Sequence, residues 1–266
     1  MLAIRQPYFE GALWTAFGLC VGSFINVVAH RLPREMSVVR PRSRCPLCGH
    51  AIAAYDNIPV LSWCLLRARC RHCRAPIALR YPLVEAWLGA AAAALFLRWG
   101  GQPLWIFCAL AAAAALTATA LIDWDTFLIP DELSLGLVAA GLLSSPINPL
   151  FESSAIWMSV LKSVGGAVFG FALCWLLAVF GEKAFGKEAM GGGDVKLLAG
   201  VGAWSGALGA FDCLVLASLL GSVYGVTLIL RRKLRRQDPI PFGPFLSAGA
   251  IFNLFYLLPP GFPFTF

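Results

Sequence analysis

Two sets of side chains in this sequence have the types and spacing to do chemistry. The first is Cys45-Pro46-Leu47-Cys48 and Cys70-Arg71-His72-Cys73, two Cys-x-x-Cys pairs with 21 residues between Cys48 and Cys70. Four thiolates supplied as two such pairs form a tetrahedron round zinc, closed to water and therefore structural. His50 and His72 lie beside the pairs, but four cysteines complete the set, which leaves the histidines as neighbours of the site or surface groups. Four unrelated thiols and two redox-active pairs are the alternatives. Cys20, Cys64, Cys108, Cys174 and Cys213 fall mostly in apolar stretches, where free cysteine behaves as a small hydrophobe.

The second set is acidic. Gly191-Gly192-Gly193-Asp194-Val195-Lys196 places a carboxylate after three glycines and before the apolar run Leu197-Leu198-Ala199. Glycine permits a sharp turn and a close approach, and a carboxylate held where water meets lipid marks a functional site by default. Gly-x-Gly-Asp alone is common in soluble proteins, so a partner is needed. Leu121-Ile122-Asp123-Trp124-Asp125 offers one. Asp123 ends an apolar helix without a basic neighbour in sequence, which matches it to Asp194. Asp125 is solvated or sets the field of Asp123. Two aspartates brought together share one proton, because like charges at close range cannot both ionise comfortably. The ionised partner takes a proton from water, which attacks a scissile carbonyl, while the protonated partner donates to the carbonyl oxygen. This is an aspartic-protease dyad, with Gly191, Gly193, Lys196 and Asp125 in support. Two independent carboxylates that cap helices are the alternative.

The elements that carry these groups are membrane helices. The chain of 266 residues is 59% hydrophobic and 13% charged, with a mean hydropathy of +0.75. Its apolar residues come in blocks long enough to span a bilayer, for which about 17–25 residues suffice. Eight blocks are expected, over 8–29, 83–98, 104–122, 131–147, 157–181, 195–208, 211–230 and 243–262. The sixth is interrupted by Gly202, Gly206 and Gly209, and only 36 residues separate Asp194 from Arg231, which is tight for two crossings. The N-terminal block exceeds a signal-peptide core and lacks an Ala-x-Ala cleavage pattern, so it is read as a retained helix. The fold expected is an all-α polytopic membrane protein. Its divisions are a first transmembrane helix (1–30), a tetracysteine loop (31–82) and a seven-helix membrane peptidase domain (83–266).

Charge orients this arrangement. Eighteen of the 21 basic residues fall in the loops after the first and seventh blocks and around Asp194, and only Arg5, Arg98 and Lys162 fall on the other face. Basic loops stay cytoplasmic, so both termini face outside, with the dyad and the cysteine loop cytoplasmic. The same asymmetry accounts for the formal charge of +7 without nucleic acid, leaving anionic lipid head groups as its partner. Asp212 faces the opposite side on this map and is left out of the site. Asp131 and Glu132, after Pro130, suit the first turn of a helix. Asn26 and His30 read as hydrogen-bonding groups between helices. Glu85, just inside the second block, is expected to pair with an arginine.

These residues together resemble the type IV prepilin peptidases, bifunctional leader peptidases and N-methyltransferases among the membrane aspartic proteases. The resemblance covers nearly the whole chain. It runs through Gly22-Ser23-Phe24-Ile25-Asn26-Val27-Val28 with Arg31-Leu32-Pro33, the paired cysteine knuckles, and Arg80-Tyr81-Pro82-Leu83-Val84-Glu85. It continues through Ile122-Asp123 with Ile129-Pro130-Asp131, Gly191-Gly192-Gly193-Asp194-Val195-Lys196, and Pro241-Phe242-Gly243-Pro244-Phe245.

The resemblance implies that Asp123 and Asp194 are the catalytic pair. It implies type IV prepilins or type II secretion pseudopilins as substrates, cut after a glycine at the cytoplasmic face of the bacterial inner membrane. It further implies S-adenosyl-L-methionine as donor for methylation of the new N-terminus. The cysteine loop argues for this second activity, since short family members without it are peptidases only. No glycine-rich nucleotide loop follows a strand, so the methyl-transfer residues stay unassigned, with Glu85 and the loop arginines candidates by position. Asp125, Asp131 and Glu132 are expected to receive a short basic leader. The chief rival is an ion-coupled transporter with a cytoplasmic zinc module, with aspartates at a broken helix. An assembly protein and a different intramembrane aspartic protease are further rivals.

Overall fold

The computed structural model describes residues 6–153, 155–186, 190–233 and 238–257. Arg5, Lys187, Arg235, Arg236 and the end of the last expected span lie outside them. The chain divides into two compact units, Met1–Ala114 and Ala115–Phe266.

In the first unit, α1 (Gln6–Arg31) packs along α3 (Arg80–Trp99). Gly22 is required at their crossing, because a Cβ there would lie 2.6 Å from the Cα of Glu85. Small residues let helix backbones touch where lipid supplies no hydrophobic drive for association. Asn26, one turn on, donates to Tyr81 O at 3.1 Å, as expected for a polar group between helices. The segment between them carries the short helix α2 (Leu61–Leu65) and two isolated bridges, Arg44 with Ala51 and Arg69 with Pro76. Arg31 is buried and donates to Ser37 O (2.9 Å) and Pro41 O (2.8 Å). Counted in the sequence as one more positive charge, it in fact ties the start of the loop to the end of α1. The first half of α4 (Pro103–Thr126) completes this unit.

The second unit holds the rest of α4, then α5 (Asp131–Ser144), α6 (Ile156–Phe185), α7 (Gly192–Leu230) and α8 (Gly243–Asn253). The two spans expected over 195–208 and 211–230 are two helical runs that meet at Gly206 (φ 74°, ψ −174°) within Gly192–Leu230. A side chain would oppose that φ. The break removes helical donors from the carbonyls just before it, and in lipid no water replaces them. Neighbouring side chains do so instead. Ser163 Oγ donates to Ala203 O (2.6 Å), and Asn148 Nδ2 donates to Trp204 O (2.7 Å). Beyond the break, Asn253 Nδ2 donates to Gly209 O (2.7 Å).

Packing in this unit is closest between α6 and α7. A Cβ on Gly166 would lie 2.1 Å from Gly202 O, so the two backbones are in contact there. On its other side α6 exposes Trp157, Leu161, Val164, Val168, Trp175 and Phe180, a surface suited to lipid. Among the described residues, Tyr8–Arg34, Pro103–Thr126, Ile156–Ala184 and Gly192–Leu230 are long and apolar enough to cross a membrane. The other expected spans are helical but shorter: α3 has 20 residues, α5 has 14 and α8 has 11.

The α6–α7 contact predicts a sharp contrast between adjacent glycines. Gly166→Ala should destabilise the protein by about 1–3 kcal/mol through overpacking. Gly165→Ala, at an exposed position with nothing within 4 Å, should leave stability unchanged or slightly raised. Thermal unfolding of both variants in detergent checks this.

Candidate active site

Asp123 sits on the last turn of α4 and is 5% exposed, whereas Asp125 on the same turn is exposed. Its Oδ2 accepts the backbone N–H of Gly243 at 2.8 Å. Gly243 opens α8, with Pro244 behind it, and its N–H belongs to the helix first turn, where no helical acceptor exists. A Cβ at this position would lie 2.7 Å from Asp123 Oδ2, so only glycine lets the backbone come this near. The sequence placed Pro241-Phe242-Gly243-Pro244 close to the catalytic face, but did not identify the amide as a ligand of Asp123.

Asp194 lies in the first turn of α7 and is 8% exposed. Its Oδ2 accepts the N–H of Gly191, the residue that caps this helix, at 3.2 Å. Its Oδ1 is buried with no hydrogen-bond partner among the described residues. The charge of Asp123 acts on Asp194, which places the two carboxylates near one another. Gly193 fits against Ile129, whose Cβ would be 2.8 Å from a Cβ on the glycine. This contact joins the Gly-Gly-Gly-Asp turn to the segment between Asp123 and α5. Cys174 of α6 lies in the field of Asp194, and its thiol approaches Met190 Sδ at 3.0 Å. Nothing in the sequence singled it out.

Lys196 reaches Asp131, with Nζ 2.7 and 2.8 Å from the two carboxylate oxygens. Its support of Asp194 is therefore indirect, through a tie between α7 and the start of α5. Asp131 also carries a cation of its own, while Glu132 is exposed beside it. Asp212 is buried in α7 beyond the break at Gly206.

In the first unit, the sulfurs of Cys45, Cys48, Cys70 and Cys73 all lie within 4.8 Å of one another, with 3.8 Å between Cys45 and Cys73. A tetrahedron with metal–sulfur bonds of about 2.3 Å has its sulfurs about 3.8 Å apart, so this cluster fits a metal ion. Each pair folds as the same turn. Gly49 N bonds Cys45 O (2.9 Å) and Cys45 N bonds His50 O (2.9 Å), while Arg74 N bonds Cys70 O (3.0 Å) and Cys70 N bonds Ala75 O (2.8 Å). The residue after each pair has positive φ, Gly49 at 70° and Arg74 at 61°.

The backbone N–H groups of Cys48 and then Leu47 draw the Cys45 thiol down to about 6, which suits a thiolate ligand. At Cys73 the N–H of Ala75 pulls down, but burial and the sulfurs of Cys48, Cys70 and Cys45 outweigh it and raise the thiol to about 11. Ionised thiols this close repel, and a dication relieves the repulsion. The rings of His50 and His72 meet at a tilt of 35° with centroids 3.4 Å apart. Arg71 pairs with Asp56 (Nε to Oδ2, 2.7 Å) and lowers the pKa of that carboxyl.

Glu85, 9% exposed, accepts the backbone N–H of Val60 at 2.6 Å. Val60 has φ 61° and ψ −50°, a strained conformation for a β-branched residue. Glu85 thus holds a loop peptide in place. Above α1, Ser23, Phe24, Arg31, Arg42, Ser43 and Asn57 line part of a cavity of about 210 Å³.

Comparison with known proteins assigns both units. Residues 16–99 match the sequence model of the bacterial peptidase A24 N-terminal domain, and residues 110–226 match that of the type IV leader peptidase family. The chain is 38% identical to a prepilin leader peptidase/N-methyltransferase of Burkholderia pseudomallei (strain K96243), over 91% of this chain and 84% of the relative. It is 40% identical to proteins of the same name from Aeromonas hydrophila (92% and 90% covered) and Pectobacterium carotovorum subsp. carotovorum (93% and 93%). No solved structure matches significantly. With the buried aspartate pair and the four-sulfur cluster in place, these matches show that the chain belongs to the type IV leader peptidase family.

Proposed function

We propose that the protein cleaves the leader from prepilins with Asp123 and Asp194 and methylates the new N-terminus. The observation that carries the cleavage reading is the buried pair itself, with Asp194 Oδ1 lacking a hydrogen-bond partner among the described residues. Family membership supports a protease with methyltransferase activity, and full-length relatives at 36–40% identity carry both activities in their name. An ion-coupled transporter has no comparable support.

The chemistry needs no covalent intermediate. One carboxylate removes a proton from water, the hydroxyl adds to the scissile carbonyl carbon, and the other carboxyl protonates the carbonyl oxygen. Burial limits the water present and fixes both groups before the substrate arrives. Gly191 and Gly193 shape the turn that presents Asp194, and Lys196 braces that turn through Asp131. Asp125, Asp131 and Glu132 are exposed carboxylates for a basic leader, and Asp131 also holds Lys196.

In our reading Cys45, Cys48, Cys70 and Cys73 hold a structural zinc ion, which shapes the loop and takes no part in cleavage. The methyl donor is S-adenosyl-L-methionine. The cavity above α1 does not fit it: Arg31 directs both terminal nitrogens to loop carbonyls, and Arg31 with Arg42 oppose a sulfonium. We derive no step through the donor. Glu85 contributes to this half by fixing Val60.

The placement we propose is the bacterial inner membrane, crossed eight times if α7 counts as two spans, with both termini outside. The dyad and the loop 31–82 then face the cytoplasm, and seven helices over 83–266 form the peptidase part. The distribution of basic residues supports it. Type IV prepilins or type II pseudopilins are the substrates, lipids the surroundings, and nucleic acid has no role.

Asp123→Asn and Asp194→Asn should each lower cleavage of a prepilin by about a thousandfold or more. Both should still methylate a substrate supplied already cleaved. Intact mass of the products with S-adenosyl-L-methionine reads both steps, and cleavage surviving in either variant would sink the dyad. Elemental analysis of the purified protein should find about one zinc per chain. Cys48→Ser should lose that metal and open the loop to proteolysis while the membrane helices stay intact by circular dichroism.

A further inference from the structure

The two carboxylates are held unequally. Asp123 Oδ2 accepts a buried 2.8 Å bond from the Gly243 amide, at the start of α8, where the helix dipole favours negative charge. Among the described residues, Asp194 Oδ2 has the 3.2 Å bond from Gly191 alone, and its Oδ1 is buried without a donor. A short bond from a fixed N–H stabilises an anion, whereas a buried oxygen with no donor disfavours charge and can carry a proton. The other titratable groups round the pair do not reverse this order. Cys174 on α6 brings a buried thiol beside Asp194. Asp125 is exposed on α4, Lys196 and Asp131 neutralise each other between α7 and α5, and α8 brings no charged residue.

We propose that Gly243 is the positioning residue that sets the polarity of the pair. Asp123 is then the ionised partner that activates water, and Asp194 the carboxylic acid that protonates the scissile carbonyl oxygen. This rests on the reading of the two aspartates as the reacting pair. In the first step, one O–H bond of water breaks, its proton goes to Asp123, and the oxygen bonds the carbonyl carbon. The Asp194 proton passes to the carbonyl oxygen, giving a neutral gem-diol. In the second step the C–N bond breaks, Asp123 returns its proton to the leaving amine, and Asp194 takes one from a diol hydroxyl. Both groups are thereby restored.

Gly243→Ala puts a methyl 2.7 Å from Asp123 Oδ2 and forces the carboxylate off the amide. For prepilin cleavage we expect kcat/KM to fall at least about tenfold. The acidic limb of its pH profile should move up by about one unit while the alkaline limb stays, as loss of an anion-stabilising bond to the base requires. A lower profile with both limbs in place is the mark of a merely structural role and overturns the proposal.

A second measurement uses the wild type and so does not depend on the variant folding. An aryloxymethyl epoxide, which is opened by carboxylates, should mark Asp123, and an aryl diazoacetamide, which esterifies carboxylic acids, should mark Asp194, with peptide mass mapping to locate each adduct. The reverse pattern, or both reagents on one aspartate, overturns the assignment. Cleavage retained in Asp123→Asn or Asp194→Asn is a separate result that removes the pair altogether.

Discussion

The hydrogen bond from the Gly243 amide to Asp123 joins residues 120 positions apart and closes the second unit round its site. It solves two problems at once. A carboxylate buried at the end of an apolar helix needs donors, and the first turn of α8 has amides without acceptors. Each defect is the other's remedy. Asp194 answers the same requirement locally, by bonding the residue that caps its own helix. Gly193 and Ile129 serve the same end, since their contact joins the start of α7 to the segment that follows Asp123.

The same rule, that no backbone polar group goes unpaired away from water, governs the far end of the unit. The break at Gly206 would leave carbonyls exposed to lipid, and Ser163, Asn148 and Asn253 cover carbonyls on both sides of it. Buried polar side chains thus serve at the helix break as well as at the aspartate pair. At the helix break they make an irregular helix tolerable.

Much of this was legible in the sequence, for physical reasons. The apolar blocks marked every long helix, because a segment in lipid must be apolar throughout. Asp123 could be preferred to Asp125 because it ends the apolar run, and the structure buries the first and exposes the second. The cysteine pairs were legible because ligand spacing is local. What escaped was non-local or carried by backbone. The Gly243 amide has no side chain to announce it. Three glycines were equal candidates for the interruption of α7, and only packing against α6 selects Gly206. Arg31 and Glu85 were counted as charges, but their partners are the peptide groups of Ser37, Pro41 and Val60, which no sequence pattern displays.

Besides Gly49, the loop between α1 and α3 holds five non-glycine residues, Glu35, Val60, Arg67, Ala68 and Arg74, at positive φ. Each such residue costs on the order of 1 kcal/mol relative to a relaxed backbone. A segment with this many unfavourable conformations does not choose its own shape. Arg31 at one end, Glu85 at the other and the four sulfurs in the middle impose it. The cysteine segment is therefore less an independent module set between helices than a span stretched over fixed abutments. Transplanted without α1 and α3, it would keep its ligands and lose its form.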